Sequence, residues 1–424
     1  MPDTSSAETS RLLLITPPNS YRTAAYLDAA RRREVPVLVA SEGKYSLVSE
    51  VAGGLHIDLR DPAALDQLLA ANRSGPFTGV IATDDASVEL GSRIAAALSL
   101  PHNPPQAARF SRRKDLSRQA LAAAGVPVPA HRLINLDRPL APQLGHADYP
   151  CVVKPVALSA SRGVIRADNL TETIAACERI QRIISRESVL DSFEASHLLL
   201  ETFIPGPEVA LEGLLHAGRL SVLAVFDKPD PLEGPFFEET YYITPTRHDD
   251  TVQRCIVDSV SAACQALGLQ EGPVHAEVRL NGSGAVILEV ASRTIGGDCA
   301  RLLQFGTGHG LEDLVIAHAT GRPLSIEPQD SAAGVLMIPI SEAGILRRIE
   351  GITRARAVPF IEDIAISIRE GYELVPLPEG GSYLGFIFAH APTPAQAEAA
   401  LRQAHEELRI VVAPVMPMQD LRAD

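Results

Sequence analysis

The sequence predicts an α/β domain followed by α+β regions, and three observations predict it. Residues 11–100 alternate short apolar runs with helical patterns, the rhythm of a doubly wound parallel sheet. The proline-rich stretch PHNPPQ, residues 101–106, reads as a domain boundary. Beyond GRPL, residues 321–324, strand and helix patterns no longer alternate regularly. With 424 residues in all and roughly 150 residues per domain, about three domains are expected. The boundaries fall at 1–106, 107–328 and 329–424.

The elements follow in order. LLLIT precedes a helical pattern over SYRTAAYLDAARRRE, then come VPVLVAS and GLHIDL, a helix from Pro62, GVIATDD, and a helix through SVELGSRIAAAL. The first turn, TPPNSYR, lacks GxGxxG, so no dinucleotide site is indicated there. A single helix is expected over AARFSRRKDLSRQALAAAG, ended by Gly125 and the prolines of VPVP. A strand CVVKPV, a small-residue loop ALSASRG and a helix from Leu170 to Arg186 come next. LLLETFI, PGPE and VALEGLL lead through a turn at HAGR into SVLAVFD, and a helix covers 250–267. The last part carries strands AGVLMIPI, AISIRE and LGFIFAHA and a final helix from Thr393 to Leu408.

Composition narrows the function. Apolar residues make up 46% and charged residues 21%, enough for a sizeable core. A net charge of −14 argues against nucleic acid as a partner, although a local basic site for an anionic substrate remains compatible. The five cysteines are scattered without a CxxC pair, which reads as buried thiols in a reducing compartment. The polar start MPDTSSAETS carries no apolar signal core, and no apolar run approaches a membrane span, so a cytoplasmic protein with no membrane partner is expected.

The most informative stretch is GPVHAEVRLNGSGAVILEVASRTIGG, residues 272–297. Side chains alternate along strands, so His275, Glu277 and Arg279 share one face, and Ile287, Glu289 and Ala291 share another. NGSG signals a hairpin. An odd-numbered loop puts both glutamates on the same side; an even one separates them unless a bulge intervenes. The first case is expected, because the apolar faces then also match. Two carboxylates on one face are tolerable in water or around a cation, and Mg²⁺ takes one or two carboxylates together with phosphate oxygens. A solvated sheet face with His–Glu–Arg pairs would hold the same residues. Arg293 could fork onto a carboxylate or phosphate, and amides beside Gly296 and Gly297 could hold an oxyanion.

Other residues favour a bound anion. GxxxxGK[ST] is absent, so a nucleotide would be held in another way. Lys154 lies among apolar residues, where an ammonium is costly unless it meets an anion. The loop LSASRGV could fold over phosphates with its backbone N–H groups and Ser159 or Ser161 as donors. Lys114 alone would be an ordinary surface lysine. Glu201 ends an apolar strand where adenine could meet the backbone, and Glu208 could accept from ribose hydroxyls.

In this order the motifs resemble the ATP-grasp superfamily of carboxylate–amine ligases. The matching elements are Lys114 ahead of LAAAGVPVP, Lys154 in VVKP, the loop SASRG, ETFIPGPE, and Glu277, Glu289 and Arg293. The resemblance runs from about residue 105 to 325. It implies an N-terminal Rossmann-like domain, an ATP-grasp domain with a lid over about 126–204, and a C-terminal α+β ligase domain. It further implies that Lys114, Lys154, Ser159, Ser161 and Gly163 contact ATP phosphates, that Glu201 and the Ile204 backbone meet adenine, and that Glu208 binds ribose. Glu277 and Glu289 would ligate Mg²⁺, with Mn²⁺ as a substitute, and Arg293 would face an acyl phosphate, with the Gly296 and Gly297 amides beside it.

Glu289-Val290-Ala291-Ser292-Arg293 places alanine where carboxylase-type members carry asparagine, which turns the reading away from biotin-carboxylase-like chemistry. GPVHAEVR, EVASRTIGG and ILRRIEG look closer to L-amino-acid ligases, which make dipeptides. There Glu239, with Glu238 as the near alternative, would recognise the first substrate's amine. His275 and Glu239 are candidates for the general base. The small-molecule substrates are then amino acids, and a homodimer is implied by resemblance alone. Rival readings are a ligase with a non-amino-acid partner and a nucleotide-binding module without catalysis.

Overall fold

The computed structural model describes residues 10–18, 20–42, 53–188, 190–326 and 330–415. The chain forms two compact units, each discontinuous in sequence. The first comprises Met1–Pro129, Val209–Phe226 and His248–Gln329; the second comprises Ala130–Glu208, Asp227–Arg247 and Asp330–Asp424.

In the first unit, strands Arg11–Thr16, Val37–Ser41, Gly53–His56 and Phe77–Ala82 form a parallel sheet in the spatial order third, second, first, fourth. Helices Arg22–Arg32, Ala64–Arg73 and Val88–Ala97 alternate with them. Its core includes Leu13, Ile15, Leu38, Leu68, Leu90 and Ile94. Burying each such side chain contributes about 1.5–3 kcal/mol. The strand order reverses beside Arg11–Thr16, where ligand crevices open at the carboxyl ends of such sheets.

The second layer of this unit is antiparallel, with strands in the order Gly284–Ala291, Gly272–Asn281, Glu208–His216 and Arg219–Lys228, whose last two residues belong to the second unit. Helix Asp250–Leu267 packs on it through Ile256, Val260, Ala263, Cys264 and Leu267, an i, i+4, i+7 stripe. Asp249 caps its first turn by accepting from the Thr251 and Val252 N–H groups, and Gly268 closes it with φ 77°.

Two expectations need correction here. The helix expected across 107–125 is two helices, Pro105–Arg112 and Lys114–Ala123, because Arg113 is extended at φ −95°, ψ 104°. Arg113 has turned to fork onto Asp115, at 2.9 and 2.8 Å. The break makes Lys114 the first residue of a helix, where a cation opposes the helix dipole. The hairpin loop is also not odd-numbered: Asn281 pairs with Gly284, so Gly282 and Ser283 alone connect the strands. That loop by itself would separate the two glutamates. A β-bulge corrects it, since Val278 pairs with Ile287 while Glu277 pairs with Glu289, leaving Leu288 as the extra residue. Ile287 therefore joins the core with Val278 and does not share a face with Glu289.

The second unit contains an antiparallel sheet ordered His131–Asn135, His197–Thr202, Cys151–Pro155 and Ile165–Ala167, covered by helix Leu170–Ile184. Its other part pairs Tyr241–Thr244, Ala332–Ile338, Gly385–Ala391 and Ile361–Ile366 side by side, under helix Pro394–Glu406. A small sheet of Glu373–Leu374, Gly344–Glu350 and Arg409–Ala413 completes it. The strand expected over AISIRE lies earlier, at Ile361–Ile366. Among the described residues no helix is long and apolar enough to cross a membrane.

Candidate active site

The first unit gathers Lys114, His275, Glu277, Glu289 and Arg293 around the bulged hairpin. Glu277 and Glu289 stand directly opposite one another, with side chains 24% and 26% exposed. Arg118, buried on helix Lys114–Ala123, donates to the carbonyl oxygen of the bulged Leu288. That bond anchors the irregularity that aligns the acids. From the first residue of the same helix, Lys114 Nζ reaches Glu289 Oε2 at 3.2 Å. One helix therefore serves both the bulge and the carboxylate beside it.

His275 lies between two acids: its Nδ1 is 3.1 Å from Glu212 Oε2, and its Nε2 is 3.8 Å from Glu277 Oε1. Burial alone would lower the imidazole pKa, but Glu212 and then Glu277 outweigh it, and the value is pushed up to about 9. Burial raises the Glu212 carboxyl, offset in part by His275 and the Ile295 N–H. We take His275 as the charged partner at neutral pH, because two carboxylates face it.

Arg293 is buried, donating from Nε to Asp85 Oδ2 at 3.1 Å and from Nη1 to the Thr294 carbonyl at 3.0 Å. Burial pushes the Asp85 carboxyl up, yet Arg293 and Lys114 outweigh that and the net shift is downward. The following loop is gripped on both sides. The Ile295 N–H donates to Glu212 Oε1 at 3.2 Å, and its carbonyl accepts from Arg22 Nη2 at 3.2 Å. Arg22 is itself paired with Asp84. Gly296 and Gly297 follow at once, Gly297 with φ 63°, so their amides leave a fixed platform.

The second unit holds the remaining candidates in two groups. Lys154 Nζ meets the buried Glu201 at 2.6 Å, which satisfies an ammonium set among apolar residues. In the loop after Lys154, Ala160, Ser161 and Gly163 all have positive φ, 55°, 54° and 68°. Gly163 N–H donates to the Pro378 carbonyl at 2.9 Å, and Arg162 Nε donates to the Glu379 carbonyl at 3.2 Å. The loop carrying Ser159 and Ser161 is thereby tied to residues 378–379. Ile204 is half-buried just past strand His197–Thr202.

Glu208 and Glu239 share one ammonium. Lys228 Nζ lies 2.7 Å from Glu208 Oε1 and also bonds Glu239 Oε1, which accepts from the Tyr242 hydroxyl at 2.9 Å. Glu238 points elsewhere and accepts from the Ile340 N–H at 3.2 Å.

Sequence reading missed Arg22, Asp84, Asp85, Arg118, Glu212 and Lys228. Some carried a signal. Asp84 and Asp85 follow the carboxyl end of a parallel strand, where α/β sheets place ligand groups. Glu212 and Lys228 are charges inside or at the end of apolar strands. Arg118 had none, because a helical arginine gives no hint of a distant bulge.

The donor set suits a hard divalent cation: two facing carboxylates with no sulfur ligand, beside an ammonium and a guanidinium able to meet anions. Comparison with known proteins agrees with this chemistry. The ATP-grasp domain family matches residues 147–301. The chain belongs to the ATP-grasp carboxylate–amine ligases, which are ATP-dependent enzymes that form carbon–nitrogen bonds.

Its C-terminal part narrows the group, since the L-amino acid ligase C-terminal domain 2 family matches residues 336–413. The crystal structure of L-amino acid ligase from Bacillus licheniformis is 26% identical, with a TM-score of 0.79 over 96% of this chain and 99% of that one. A Sinorhizobium fredii protein, y4rH, is 26% identical over 93% of this chain and 82% of its own length. Alanine–anticapsin ligase of Bacillus subtilis is 28% identical over 45% of this chain, a match that spans 43% of that relative.

Proposed function

We propose that the protein joins two small amino acids into a dipeptide, with ATP as co-substrate and release of ADP and phosphate. The observation that carries this reading is the bulge-enforced pairing of Glu277 with Glu289 beside Lys114 and Arg293. The similarity to an L-amino acid ligase over nearly its whole length supports the choice of amino acids.

In the proposed reaction a substrate carboxylate oxygen attacks the γ-phosphorus of ATP, the bond to ADP breaks, and an acyl phosphate results. The second substrate's amine then attacks the acyl carbon; the C–N bond forms, the C–O bond breaks, phosphate leaves and the amine loses a proton. Glu277 and Glu289 would hold Mg²⁺, or Mn²⁺ in its place. The bound ion would neutralise phosphate charge and orient the phosphate oxygens.

The chain's own residues do the rest. Lys114 and Lys154 supply positive charge to phosphate oxygens, and the Ser159–Gly163 loop covers them. Arg293 is held rigid by Asp85 and, with the Gly296 and Gly297 amides, faces the oxyanion that forms on amine attack. Glu201, Ile204 and Glu208 are assigned to the nucleoside. Glu239 keeps lone pairs beyond its bonds to Lys228 and Tyr242, and these are assigned to the first substrate's ammonium. His275 is charged between two acids, so it positions Glu277 more readily than it accepts a proton. The proposed domains are 1–106, 107–328 with a lid over about 126–204, and 329–424, and a cytoplasmic homodimer is the proposed form.

The test is purified protein with Mg-ATP and pairs of amino acids, read by phosphate release and by product mass. Phosphate release that needs two amino acids and yields a dipeptide mass supports the proposal. Absence of ADP formation with every pair removes it.

A further inference from the structure

Three side chains with no role in the reaction above converge in the first unit. His216 ends strand Glu208–His216, Glu271 directly precedes strand Gly272–Asn281, and His318 lies in the last turn of helix Leu311–Ala319. His216 Nδ1 is 3.4 Å and His318 Nε2 is 3.2 Å from the same oxygen, Glu271 Oε2. The three ligand atoms all lie within 4.8 Å of one another. The imidazole planes stand at 86°, with centroids 5.6 Å apart, so the rings meet edge to face and both direct a nitrogen at the carboxylate.

The carboxylate is itself fixed. Glu271 Oε1 accepts from the Ala217 N–H at 2.9 Å. Asn103 grips the Glu271 backbone from both sides: its Oδ1 accepts from the Glu271 N–H at 2.9 Å, and its Nδ2 donates to the Glu271 carbonyl at 2.8 Å. Such supporting bonds orient a ligand before a metal arrives.

We propose that His216, Glu271 and His318 bind one divalent transition-metal ion of the Zn²⁺ type, at a site separate from the Glu277–Glu289 pair. Two imidazoles and one carboxylate suit Zn²⁺, whereas Mg²⁺ prefers an all-oxygen shell. In a tetrahedral site with bonds of about 2.0–2.1 Å, neighbouring ligand atoms sit about 3.3–3.4 Å apart. The two measured separations fall on or just below that edge length. They serve as hydrogen-bonded pairs without the ion and need little movement to receive it. His216 is 78% exposed, so an ion reaches the site from solvent and a water completes the shell. The ion would tie together three elements distant in sequence, one of them leading into the strand that carries Glu277.

The test uses the full chain, stripped with chelator and kept in excess Mg²⁺, then titrated calorimetrically with Zn²⁺ and optically with Co²⁺. The expected result is one equivalent of tightly bound Zn²⁺, a higher thermal midpoint, and visible Co²⁺ bands of a nitrogen-ligated, low-coordinate site. His216→Ala, at an exposed position, should keep the zinc-free midpoint and weaken Zn²⁺ by about tenfold or more. His318→Gln should weaken it likewise, while Glu277→Gln should leave it intact. Absence of stoichiometric Zn²⁺ binding under excess Mg²⁺ overturns the proposal. So does binding unchanged in His216→Ala and His318→Gln, or binding lost in Glu277→Gln.

Discussion

Glu277 and Glu289 in the first unit and Glu208 and Glu239 in the second are both acid pairs, yet the chain treats them differently. The second pair is bridged by a buried ammonium, Lys228, which bonds both carboxylates. The first pair faces across two strands, half-exposed, with Lys114 on one member and His275 near the other. Backbone geometry holds the first pair together, through a bulge anchored by Arg118. Charge neutralisation holds the second. A pair aligned by the backbone despite its repulsion is poised for an external cation, while a pair closed by an internal lysine is a finished piece of structure with spare lone pairs.

The difference is sharpest when one acid of the first pair is neutralised. Glu277→Gln and Glu289→Gln should each lower ADP formation by about a thousandfold, roughly 4 kcal/mol of transition-state stabilisation. Neither should lower the thermal midpoint, because each removes a like-charge repulsion. Substantial turnover in both variants would end the metal-pair assignment.

Removing the lysine of the second pair should have the reverse signature. Lys228→Met leaves Glu208 and Glu239 facing each other without their shared ammonium, and should cost about 3 kcal/mol in denaturant unfolding. Adding Glu239→Gln to that variant should restore part of the loss. Equal stability of Lys228→Met and the parent would show that the two pairs are not built on different principles.

How much of this contrast the sequence carried depends on the range of the interaction that sets each feature. Strand–helix alternation over residues 11–100 is local and periodic, so the parallel sheet was legible. The helix Asp250–Leu267 was legible through its cap, its stripe and Gly268. Facing acids were expected in the hairpin, but for a reason the structure replaces: loop parity points the wrong way, and a bulge held by a residue 170 positions away sets the register. Lys228 and Asp85 were missed because their partners, Glu208, Glu239 and Arg293, are brought in by tertiary packing. The break at Arg113 was missed because a residue of ordinary helix propensity stands there; its fork onto Asp115 accompanies the turn.

Arg118→Met tests whether the bulge is what aligns the first pair. The variant keeps the helix and most of the side-chain volume but removes the donor to the Leu288 carbonyl. Stability should fall by about 1–2 kcal/mol. Activity should fall by about tenfold, chiefly in kcat, because the carboxylates lose register rather than chemistry. Higher Mg²⁺ should recover part of the activity in Arg118→Met but not in Glu277→Gln. Equal behaviour of the two variants would mean that alignment and ligation are not separable here.

The mildest test concerns the loop assigned to phosphates. Glu379 accepts two bonds from Arg179, at 2.7 and 2.8 Å, while its own carbonyl and that of Pro378 hold Arg162 and Gly163. Arg179 and Glu379 are 38% and 36% exposed, so screening should keep the pair below about 1 kcal/mol. Arg179 holds the Glu379 carboxyl below its usual value. The contribution is therefore complete above the ordinary glutamate range and is lost as pH falls through the depressed value. Glu379→Gln should flatten that acid-side loss and shift the KM for ATP by less than about fivefold, leaving kcat nearly unchanged. Raised salt should make the parent resemble the variant. A large fall in kcat would instead place Glu379 in the chemistry, and the loop's tether would then be part of the reaction rather than a support for it.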